Sequence, residues 1–596
     1  MVQLKLERTT GEAIGVISWF AVHPTSMNNS NTLVSSDNVG YASILFEKKM
    51  NPTALPGKGK FVAAFASSNL GDVSPNLRGP RCTDTGEACD VHTSTCDGAN
   101  VLCVASGPGV NMFESTRIIG DRLYTKALEL FEGESTQISG PIRSIHQYVN
   151  MAEKRQTVFD IQAQKNQTIR GCLPAMGYSF AAGTTDGPGA FTFIQGMTSP
   201  NELWNAVRDF LITPSAAAAE CQAVKPILIP TGEMRFPFEW QPQIVSTGIV
   251  MLGNFTIVAV PGEFTTMAGR RLRLAVWEGL NMKTSSSQES SSTVNSNLTT
   301  TITNFTSFSW MTMIDESGNV VNVTSQNSNS SVSGANGAAS GNASPMQQNM
   351  ENLLSSMQQM RNGPPVVVAG LCNTYSSYIV TPQEYTRYEA ASTIYGPHTL
   401  SLYEAQYRDL ARAVVTDTKV KPGPTPRDLK EDVVSLVAPV IFDSTSWNRN
   451  YGDCIKQPPA TAAPGDTVSA TFISGHPRNN LMLEGTFMRV ERRDVREGGN
   501  ATWTVVATDA NWETKYKWYR TSFLLGTSES RLEWTIPEDT EPATYRIRHY
   551  GHAKYLFGGV FPYRGSSRSF QVVRRSSATS ADVAPRNSKR RFFNWS

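Results

Sequence analysis

The chain has 596 residues, which is too long for one typical hydrophobic core, so we expect two or more domains. Its 53 lysines and arginines nearly balance its 51 aspartates and glutamates, and they form no basic stripe with interleaved aromatic residues. This composition gives no support for a nucleic-acid partner. The longest apolar runs have the length of a strand, as at 366–370, so the sequence predicts no membrane-spanning helix.

The chain begins with a stretch that alternates like a pair of strands. Residues 2–24, VQLKLERTTGEAIGVISWFAVHP, carry alternating apolar residues on either side of a Thr-Thr-Gly turn, which predicts a hairpin. Its pattern is that of strands and not of a signal peptide. Because a chain that opens inside a hairpin starts in the middle of a domain, we expect a further N-terminal part of the protein upstream of Met1.

Residues 1 to about 280 predict a mixed α/β region, in which strand-like runs alternate with helical patterns. The strand-like runs include 14–22, 61–66 and 256–260, and the helical patterns include 111–132 and 264–280. From 283 to 363 the chain becomes rich in Ser, Asn, Thr, Gln and Met, which is typical of a disordered, glycosylated insertion. Without the insertion, the helix at 264–280 connects to a strand at 366–370, as in an ordinary α/β unit.

A Pro- and Lys-rich segment, TKVKPGPTPRDLKED, follows a predicted helix at 399–415 and indicates a domain boundary. We therefore assign residues 1–414 to the first domain and residues 415–573 to the second. The second contains short strand-like runs separated by turns, at 467–472, 486–491, 502–507, 531–535 and 544–550. This spacing is typical of an all-β sandwich. The Ser-, Arg- and Lys-rich tail, 574–596, is predicted to be disordered.

Cysteine spacing and glycosylation sequons both indicate the secretory pathway. Four cysteines recur every seven residues in one loop, whereas zinc sites favour closer pairs, so disulfides are favoured over a metal there. These are Cys82, Cys89, Cys96 and Cys103, and the other four are Cys172, Cys221, Cys372 and Cys454. Sequons begin at Asn28, Asn166, Asn254, Asn297, Asn304, Asn322, Asn329, Asn342, Asn500 and Asn594, and some of them are expected by chance.

Four strand ends carry polar, reactive side chains, and each has a structural alternative. His23 ends the strand in VISWFAVHPTSM, where a metal ligand or an acid–base group competes with a partly buried structural histidine. The stretch FASSNLGDVSPN follows another strand and contains Asn69, Asp72, Ser74 and Asn76. It lacks the G-x-S-x-G elbow of serine hydrolases, and the alternative is a turn that caps the next element.

The other two strand ends offer a carboxylate and several phenols. Glu263 in IVAVPGEF lies where a helix begins, so it suits either a metal ligand or a residue favoured by the helix dipole. The stretch LCNTYSSYIVTPQEYTRYEAAST carries Tyr375, Tyr378, Tyr385 and Tyr388. Tyrosine hydroxyls ligate metals or stabilise an oxyanion, and the alternative is a packed aromatic loop.

Four strings, in their order along the chain, closely resemble those of the neutral ceramidases, which are zinc amidases that cleave the N-acyl bond of sphingolipids. The strings are WFAVHPTSM, FASSNLGDVSPN, PGEFTTMAGRRLR and YEAASTIYGPHTLSLY, and the resemblance covers nearly the whole chain apart from the insertion and the tail. It implies an N-acylsphingosine amidohydrolase that releases sphingosine and a free fatty acid from ceramide at a membrane surface. The expected fold class is an α/β mixed catalytic domain followed by a C-terminal all-β immunoglobulin-like sandwich.

The resemblance also implies roles for particular residues. His23, Glu263 and Tyr378 correspond to zinc ligands of the family. Ser74 corresponds to its serine beside the zinc, long assigned as the nucleophile, and Tyr388 to a tyrosine that binds or polarises the amide oxygen. The run of residues that leads to Tyr388 is shorter here than in the family.

This chain departs from the family in one respect. Family members carry a further zinc-binding histidine in an H-x-H segment upstream of the FAVHP strand, and a substrate-binding arginine in the same region. This sequence contains no H-x-H, and His23 is its first histidine. A zinc site with one protein ligand fewer should bind the metal more weakly. A catalytically impaired, secreted lipid-binding glycoprotein is therefore the alternative function.

Amide hydrolysis at neutral pH needs a strong nucleophile and a charge sink for the oxyanion. Zinc supplies both, since it lowers the pKa of bound water to about 7 and polarises the carbonyl. Because Ser74 has no evident partner base in the sequence, we expect metal-activated water to attack, with Ser74 in a supporting role. Ser74 as an acyl-enzyme nucleophile stays open, and a metal-free serine hydrolase built on Ser74 is a third hypothesis.

Two structural features follow from the same resemblance. In ATDANWETKYKW, Asp509, Asn511 and Thr514 offer oxygen ligands to a calcium ion, which the resemblance implies although spacing alone favours a capped turn. The implied disulfides are Cys82–Cys96, Cys89–Cys103 and Cys172–Cys221, with Cys372 and Cys454 either unassigned or paired with each other.

Overall fold

The computed structural model describes residues 1–160, 165–281, 363–385, 392–495 and 501–574. The predicted insertion at 283–363 and the tail at 574–596 therefore fall almost entirely outside the described residues. The chain divides into two compact units. The first comprises residues 1–49 and 61–433, and the second comprises residues 50–60 and the chain from 434 onward.

The division lies beyond the predicted boundary between residues 414 and 415. The carbonyl oxygens of Lys421 and Pro422 accept hydrogen bonds from the side chain of Gln147 (2.9 Å) and the amide of Tyr148 (2.8 Å). Because both donors lie on a strand of the first unit, the Pro- and Lys-rich segment begins as part of that unit.

The first unit contains two larger sheets and several two-stranded pairs. Its strands are β1 Val2–Glu7, β2 Ala13–Phe20, β3 Val62–Ser67, β4 Pro80–Cys82, β5 Cys103–Ala105, β6 Ile142–Asn150, β7 Arg155–Asp160, β8 Lys165–Arg170, β9 Met176–Gly177, β10 Gly183–Thr184, β11 Gly187–Pro188, β12 Ile227–Ile229, β13 Ile244–Leu252, β14 Phe255–Ala259, β15 Glu263–Phe264, β16 Val366–Ala369 and β17 Tyr378–Ile379. Its helices are α1 Asp37–Met50, α2 Met112–Glu132, α3 Glu202–Leu211, α4 Ala216–Cys221, α5 Thr266–Asn281 and α6 Thr399–Val415. The strands and helices that the sequence predicted here are confirmed, with ends shifted by at most two residues.

Two parallel strand pairs form the framework around the candidate site. In the three-stranded sheet, β2 pairs antiparallel with β1, as the predicted hairpin requires, and parallel with β3. In the four-stranded sheet, of order β16-β14-β13-β6, β14 runs parallel to β16. The amide of Gly370, after β16, donates to the carbonyl of Ser67 at the end of β3 (3.0 Å), so the carboxyl ends of both pairs meet. Ligand sites of α/β sheets commonly form at such an edge.

Helices α5 and α6 pack on the four-stranded sheet. Leu272 of α5 and Tyr407 of α6 are fully buried in one core with Val258 and Val368 of the sheet. Full burial of each such side chain contributes about 1.5–3 kcal/mol. The hydroxyl of Tyr407 also donates to the carbonyl of Ala259 (2.6 Å), which anchors the end of β14. Among the described residues, no helix is both long and apolar enough to cross a bilayer.

The second unit is built from two largely antiparallel sheets. Its strands are β18 Cys454–Lys456, β19 Thr461–Ala462, β20 Thr467–Ile473, β21 Met488–Val495, β22 Ala501–Thr508, β23 Thr514–Ser522, β24 Thr527–Thr535, β25 Ala543–Lys554, β26 Val560–Ser566 and β27 Phe570–Val572. One sheet has the order β18-β20-β24-β23, and the other has the order β19-β27-β25-β21-β22 with β26 on β25. Phe472 and Trp534 of the first sheet share one core with Ile547 and Phe570 of the second. The second unit is therefore rich in β structure, and its immunoglobulin-like topology stays a prediction.

Three disulfides close loops in the first unit. They are Cys82–Cys96, Cys89–Cys103 and Cys172–Cys221, the pairs that the resemblance implied. The sulfur atoms of Cys82, Cys89 and Cys96 lie within 4.8 Å of one another, but they are oxidised, and only a thiolate ligates a metal. Their proximity therefore reflects the disulfides. Cys372 and Cys454 are free thiols, so the alternative pairing between them is wrong.

The loop that follows β3 lies directly against the strand that carries Glu263. The amide of Gly71 donates to the carbonyl of Phe264 (3.0 Å), and a Cβ atom at Gly71 would lie 2.9 Å from the carbonyl oxygen of Glu263. A residue without a Cβ atom permits this approach of two backbones. Gly71 therefore sets the separation between Glu263 and the loop that carries Ser74.

We predict that Gly71→Ala destabilises the protein, because the added methyl group must push two backbone segments apart. The expected loss in the free energy of unfolding is about 1–3 kcal/mol, as for overpacked cores. Thermal denaturation tests this against Gly187→Ala, since a Cβ at Gly187 meets no atom within 4 Å. Equal melting temperatures for the wild type and Gly71→Ala would contradict the close approach.

Replacing Cys172 and Cys221 together by serine should also destabilise the first unit. The link spans 49 residues and restricts the unfolded chain, so its loss should cost about 2–5 kcal/mol. Urea unfolding followed by fluorescence measures the difference, with Cys372→Ser as a control because that thiol is free. A wild-type urea midpoint in the double variant would refute a stabilising role for this disulfide.

Candidate metal centre

His23 lies three residues beyond the end of β2, at the edge where the parallel pairs meet. Its backbone amide donates to the carbonyl of Val73 (2.9 Å), in the loop after β3. The side-chain amide of Asn38, at the start of α1, donates to the carbonyl of His23 (3.1 Å). Pro24 follows and has no amide hydrogen to continue a strand. These contacts fix the backbone on both sides of the imidazole.

Glu263 and Tyr378 are brought together by a short parallel strand pair. β15 follows β14, β17 follows β16, and the two pair with Glu263 opposite Tyr378. The amide of Glu263 donates to the carbonyl of Ser377 (2.9 Å), and the amide of Thr265 to the carbonyl of Ile379 (3.1 Å). Because residues directly opposite each other share one face of a sheet, the carboxylate and the phenol lie side by side.

The side chains of His23, Glu263 and Tyr378 converge at this edge. Nε2 of His23 lies 2.8 Å from Oε2 of Glu263 and 3.3 Å from the hydroxyl oxygen of Tyr378. A fourth side chain, Tyr375, donates its hydroxyl to Oε1 of Glu263 (2.6 Å). Ligand atoms of a tetrahedral zinc ion, each about 2.0–2.1 Å from the metal, lie roughly 3.3 Å apart. The donor atoms are of kinds that bind metal ions, and the separation between His23 and Tyr378 equals this spacing, whereas His23 and Glu263 lie closer and share a hydrogen bond.

Burial and hydrogen bonding set the charge of this cluster. The side chains of His23 and Glu263 are only 17% and 11% exposed. Burial alone would lower the pKa of His23, but the hydrogen bond and negative charge of Glu263 raise that pKa above its usual value. Burial alone would raise the pKa of Glu263, but hydrogen bonds from His23 and Tyr375 hold that pKa below its usual value. Glu263 is therefore a carboxylate at neutral pH, and its charge attracts a cation to this position.

Ser74 is exposed and hydrogen-bonded to a carboxylate that the sequence analysis did not identify. Its Oγ donates to Oδ1 of Asp186 (2.8 Å) and accepts from the amide of Asn76 (3.0 Å). Asp186 also accepts from the side-chain amide of Asn76 (2.9 Å, at Oδ1) and from the hydroxyl of Thr25 (3.0 Å, at Oδ2). Thr25 lies two residues after His23, so Asp186 connects the loops that carry His23 and Ser74.

Other polar residues of the FASSNLGDVSPN stretch have structural contacts. Oδ1 of Asp72 accepts from the amide and the hydroxyl of Thr266 (both 2.7 Å), which is the N-terminal residue of α5. Oδ1 of Asn69 accepts from Arg273 of the same helix (2.7 Å). The capping alternative is therefore correct for Asp72, whereas Ser74 and Asn76 face Asp186.

The four tyrosines of the predicted aromatic stretch differ in position. Tyr378 and Tyr375 lie at the cluster, whereas Tyr385 is buried and donates its hydroxyl to Gln222 (2.9 Å). Tyr388 lies outside the described residues, so its role stays a prediction. Tyr375 was among the predicted tyrosines, but nothing in the sequence indicates its hydrogen bond to Glu263. No local signal links Asp186, in a Thr-Thr-Asp-Gly turn, to Ser74, which is 112 residues away.

The predicted calcium ligands lie in the turn between β22 and β23. The carboxylate of Asp509 accepts from the hydroxyl of Thr486 (2.6 Å) and the amide of Phe487 (2.8 Å). Oδ1 of Asn511 accepts from the amide of Thr508 (3.0 Å), while the hydroxyl of Thr514 donates to the carbonyl of Thr508 (2.7 Å). These contacts are those of a capped turn, and the calcium site stays a prediction.

Two family models together match most of the chain. The model of the N-terminal part of neutral/alkaline non-lysosomal ceramidase matches residues 1–308 and 333–405. The model of the C-terminal part of the same family matches residues 407–572. The two models meet inside α6, between residues 405 and 407.

Relatives and solved structures agree with these matches. A neutral ceramidase of Drosophila pseudoobscura pseudoobscura is 43% identical over 579 residues, which cover 96% of this chain and 71% of that protein. Neutral ceramidase B of Dictyostelium discoideum is 41% identical over 583 residues, covering 96% of this chain and 69% of the relative. A solved structure described as a ceramidase complexed with C2 has a TM-score of 0.69 at 29% identity and covers 96% of this chain and 72% of that one. The neutral ceramidase of Pseudomonas aeruginosa has a TM-score of 0.66 at 27% identity, with 96% and 71% covered. The chain therefore belongs to the neutral/alkaline non-lysosomal ceramidase family.

Proposed function

We propose that this protein is a zinc-dependent amidohydrolase that cleaves the N-acyl amide bond of ceramide to give sphingosine and a free fatty acid. The observation that carries the proposal is the convergence of His23, Glu263 and Tyr378 from three separate segments. Relatives of this chain are named neutral ceramidases, which supports ceramide as the substrate. The proposed partner is therefore ceramide presented at a membrane surface.

His23, Glu263 and Tyr378 are the proposed zinc ligands. Catalytic zinc sites usually combine three protein ligands with an open position. Because the family's further zinc-binding histidine has no counterpart in this sequence, we expect weaker zinc binding than in a site that has it. When bound, zinc supplies a Lewis acid for the amide carbonyl and lowers the pKa of bound water to about 7. Tyr375 keeps the carboxylate of Glu263 in one orientation, because it holds Oε1 while Oε2 faces His23.

Ser74 is the proposed polar contact for the scissile amide. Its hydroxyl hydrogen is directed at Asp186, and one lone pair accepts from the amide of Asn76, so one lone pair stays available. Tyr388 is the proposed partner of the amide oxygen, by family position alone. Nε2 of His23 faces Glu263 and Tyr378 rather than Ser74, which favours the zinc hypothesis over a metal-free serine hydrolase.

We further propose that the protein matures in the secretory pathway, carries glycans and holds a structural calcium ion at the Asp509 turn. The three disulfides support an oxidising compartment. The sequon residues Asn28, Asn166 and Asn254 are exposed, as glycan attachment requires. The second unit is proposed to have an immunoglobulin-like topology.

Substitution of a proposed ligand should remove both zinc and activity. We expect His23→Ala and Glu263→Gln in the full-length protein to lower kcat/KM for ceramide by roughly 100-fold or more, as when an electrostatic stabiliser is lost. Zinc content, measured by inductively coupled plasma mass spectrometry, should fall in parallel. His92→Ala is the control, because His92 is exposed in the disulfide loop. Full zinc content and wild-type turnover in either ligand variant would overturn the assignment.

Removal of the Tyr375 hydroxyl should weaken zinc binding without removing a ligand. We expect Tyr375→Phe to lower zinc affinity about 10- to 100-fold, because Glu263 loses the partner that orients it. Competition with a chromophoric chelator measures this affinity. Tyr385→Phe is the matched control, since it loses a hydroxyl bond of 2.9 Å to Gln222 and should keep wild-type zinc affinity. The same affinity in both variants would contradict the role of Tyr375.

A further inference from the structure

We propose that Asp186 is a positioning residue for the reaction, whose carboxylate holds the hydroxyl hydrogen of Ser74 and leaves one lone pair of Oγ free for the substrate. This inference rests on the proposed function. Asp186 lies in the two-residue turn between β10 and β11, and its amide donates to the hydroxyl of Thr184 (3.1 Å). Its carboxylate therefore projects from a short hairpin rather than from a long flexible loop.

The hydrogen bonds around Asp186 are consistent with an ionised acceptor. Three donors reach the carboxylate: the hydroxyls of Ser74 and Thr25 and the side-chain amide of Asn76. An ionised carboxylate only accepts hydrogen bonds, so all three donors are satisfied at once. A hydrogen bond to an ionised acceptor is roughly twice as strong as one between neutral groups. The orientation of the Ser74 hydroxyl is therefore set by Asp186.

After its hydrogen bonds to Asp186 and Asn76, the hydroxyl of Ser74 can accept one more hydrogen bond. Oγ of Ser74 has one hydrogen and two lone pairs, and the amide of Asn76 occupies one of these lone pairs. The second lone pair is the position from which Ser74 can accept from a substrate N–H or approach a carbonyl carbon. Without Asp186, the hydroxyl would be free to rotate.

Asp186 also contacts the loop that carries His23. Thr25 makes this contact: it follows His23 by two residues in the chain, and its hydroxyl donates a hydrogen bond to Oδ2 of Asp186. This single contact leaves Ser74 as the side chain at the site that Asp186 orients.

The hairpin that carries Asp186 is held by glycines on both sides. Gly183 has φ +64, and a Cβ there would lie 2.4 Å from the carbonyl oxygen of Gly187. A Cβ at Gly189 would lie 1.9 Å from the carbonyl oxygen of Ala181. The side chain of Gln195 donates to the carbonyl of Gly183. This close packing fixes the position from which Asp186 reaches Ser74.

The test is a double-mutant cycle between Asp186→Asn and Ser74→Ala. The asparagine keeps the shape of the side chain and one acceptor but removes the charge. We expect Asp186→Asn to lower kcat for ceramide about 10- to 100-fold with KM within about threefold, since positioned polar groups contribute on this scale. In the Ser74→Ala background, the same change should have little further effect, because Asp186 acts through Ser74.

The control is Asp84→Asn, which makes the same substitution at an exposed aspartate of the disulfide loop, away from Ser74. We expect its kcat to stay within about threefold of wild type. Thermal denaturation and zinc content of each variant report on folding and on the zinc ligands.

Three results would overturn the inference. They are a wild-type kcat for Asp186→Asn, additive losses of kcat in the Ser74→Ala background, and wild-type kcat for Ser74→Ala. In each case the zinc-dependent ceramidase function would stand, provided that the wild-type protein binds zinc and releases sphingosine. A wild-type protein without either property would instead overturn the proposed function, and this inference with it.

Discussion

The convergence of His23, Glu263 and Tyr378 depends on one backbone constraint, the parallel register that places Glu263 opposite Tyr378. Successive residues of a strand face opposite sides, so the residues that follow them, Phe264 and Ile379, face the other way and are fully buried. Each short strand therefore presents one polar side chain to the site and one apolar anchor to the core. If β15 slipped by one residue, the carboxylate of Glu263 would point into the apolar core and the ring of Phe264 would point into the site. The pairing register of β15 and β17 is therefore strongly specified.

Close backbone packing holds this register in place. A Cβ atom at Gly262 would lie 2.4 Å from Cδ1 of Ile379 and 2.6 Å from the carbonyl oxygen of Ser377. On the other side, Gly71 approaches the carbonyl of Glu263, and Asp72 caps the helix that begins two residues after β15. A site built on such rigid contacts loses little conformational entropy when a metal or a substrate binds. The loop after β3 therefore contributes to the site through its backbone as well as through the side chains of Asp72 and Ser74.

The sequence contains enough information to predict which strand ends form the site, but not all of its contacts. The apolar runs and the residues that end them predicted the position of His23 and Glu263, because carboxyl ends of parallel strands meet at one edge. The choice of Tyr378 came from family resemblance. Asp186 was missed because an Asp-Gly turn is common, and its bond to Ser74 depends on tertiary packing.

The boundary between the two units also depends on tertiary contacts that a local sequence pattern does not reveal. The helical pattern at 399–415 correctly predicted α6, and the Pro- and Lys-rich segment after it predicted a domain boundary. That segment then remains with the first unit through hydrogen bonds of Lys421 and Pro422 to a distant strand, which no local pattern reveals. In the second unit, the strand predicted at 544–550 lies within Ala543–Lys554, along which buried residues alternate because one face of the strand lies in the core.

X-ray absorption spectroscopy at the zinc edge, on the zinc-loaded protein, tests the central claim most directly. We predict one zinc ion per chain, surrounded only by nitrogen and oxygen atoms at about 2.0–2.2 Å, as His23, Glu263 and Tyr378 require. A shell containing sulfur at about 2.3 Å, or a protein that takes up no zinc, would contradict a metal centre at the paired ends of β15 and β17.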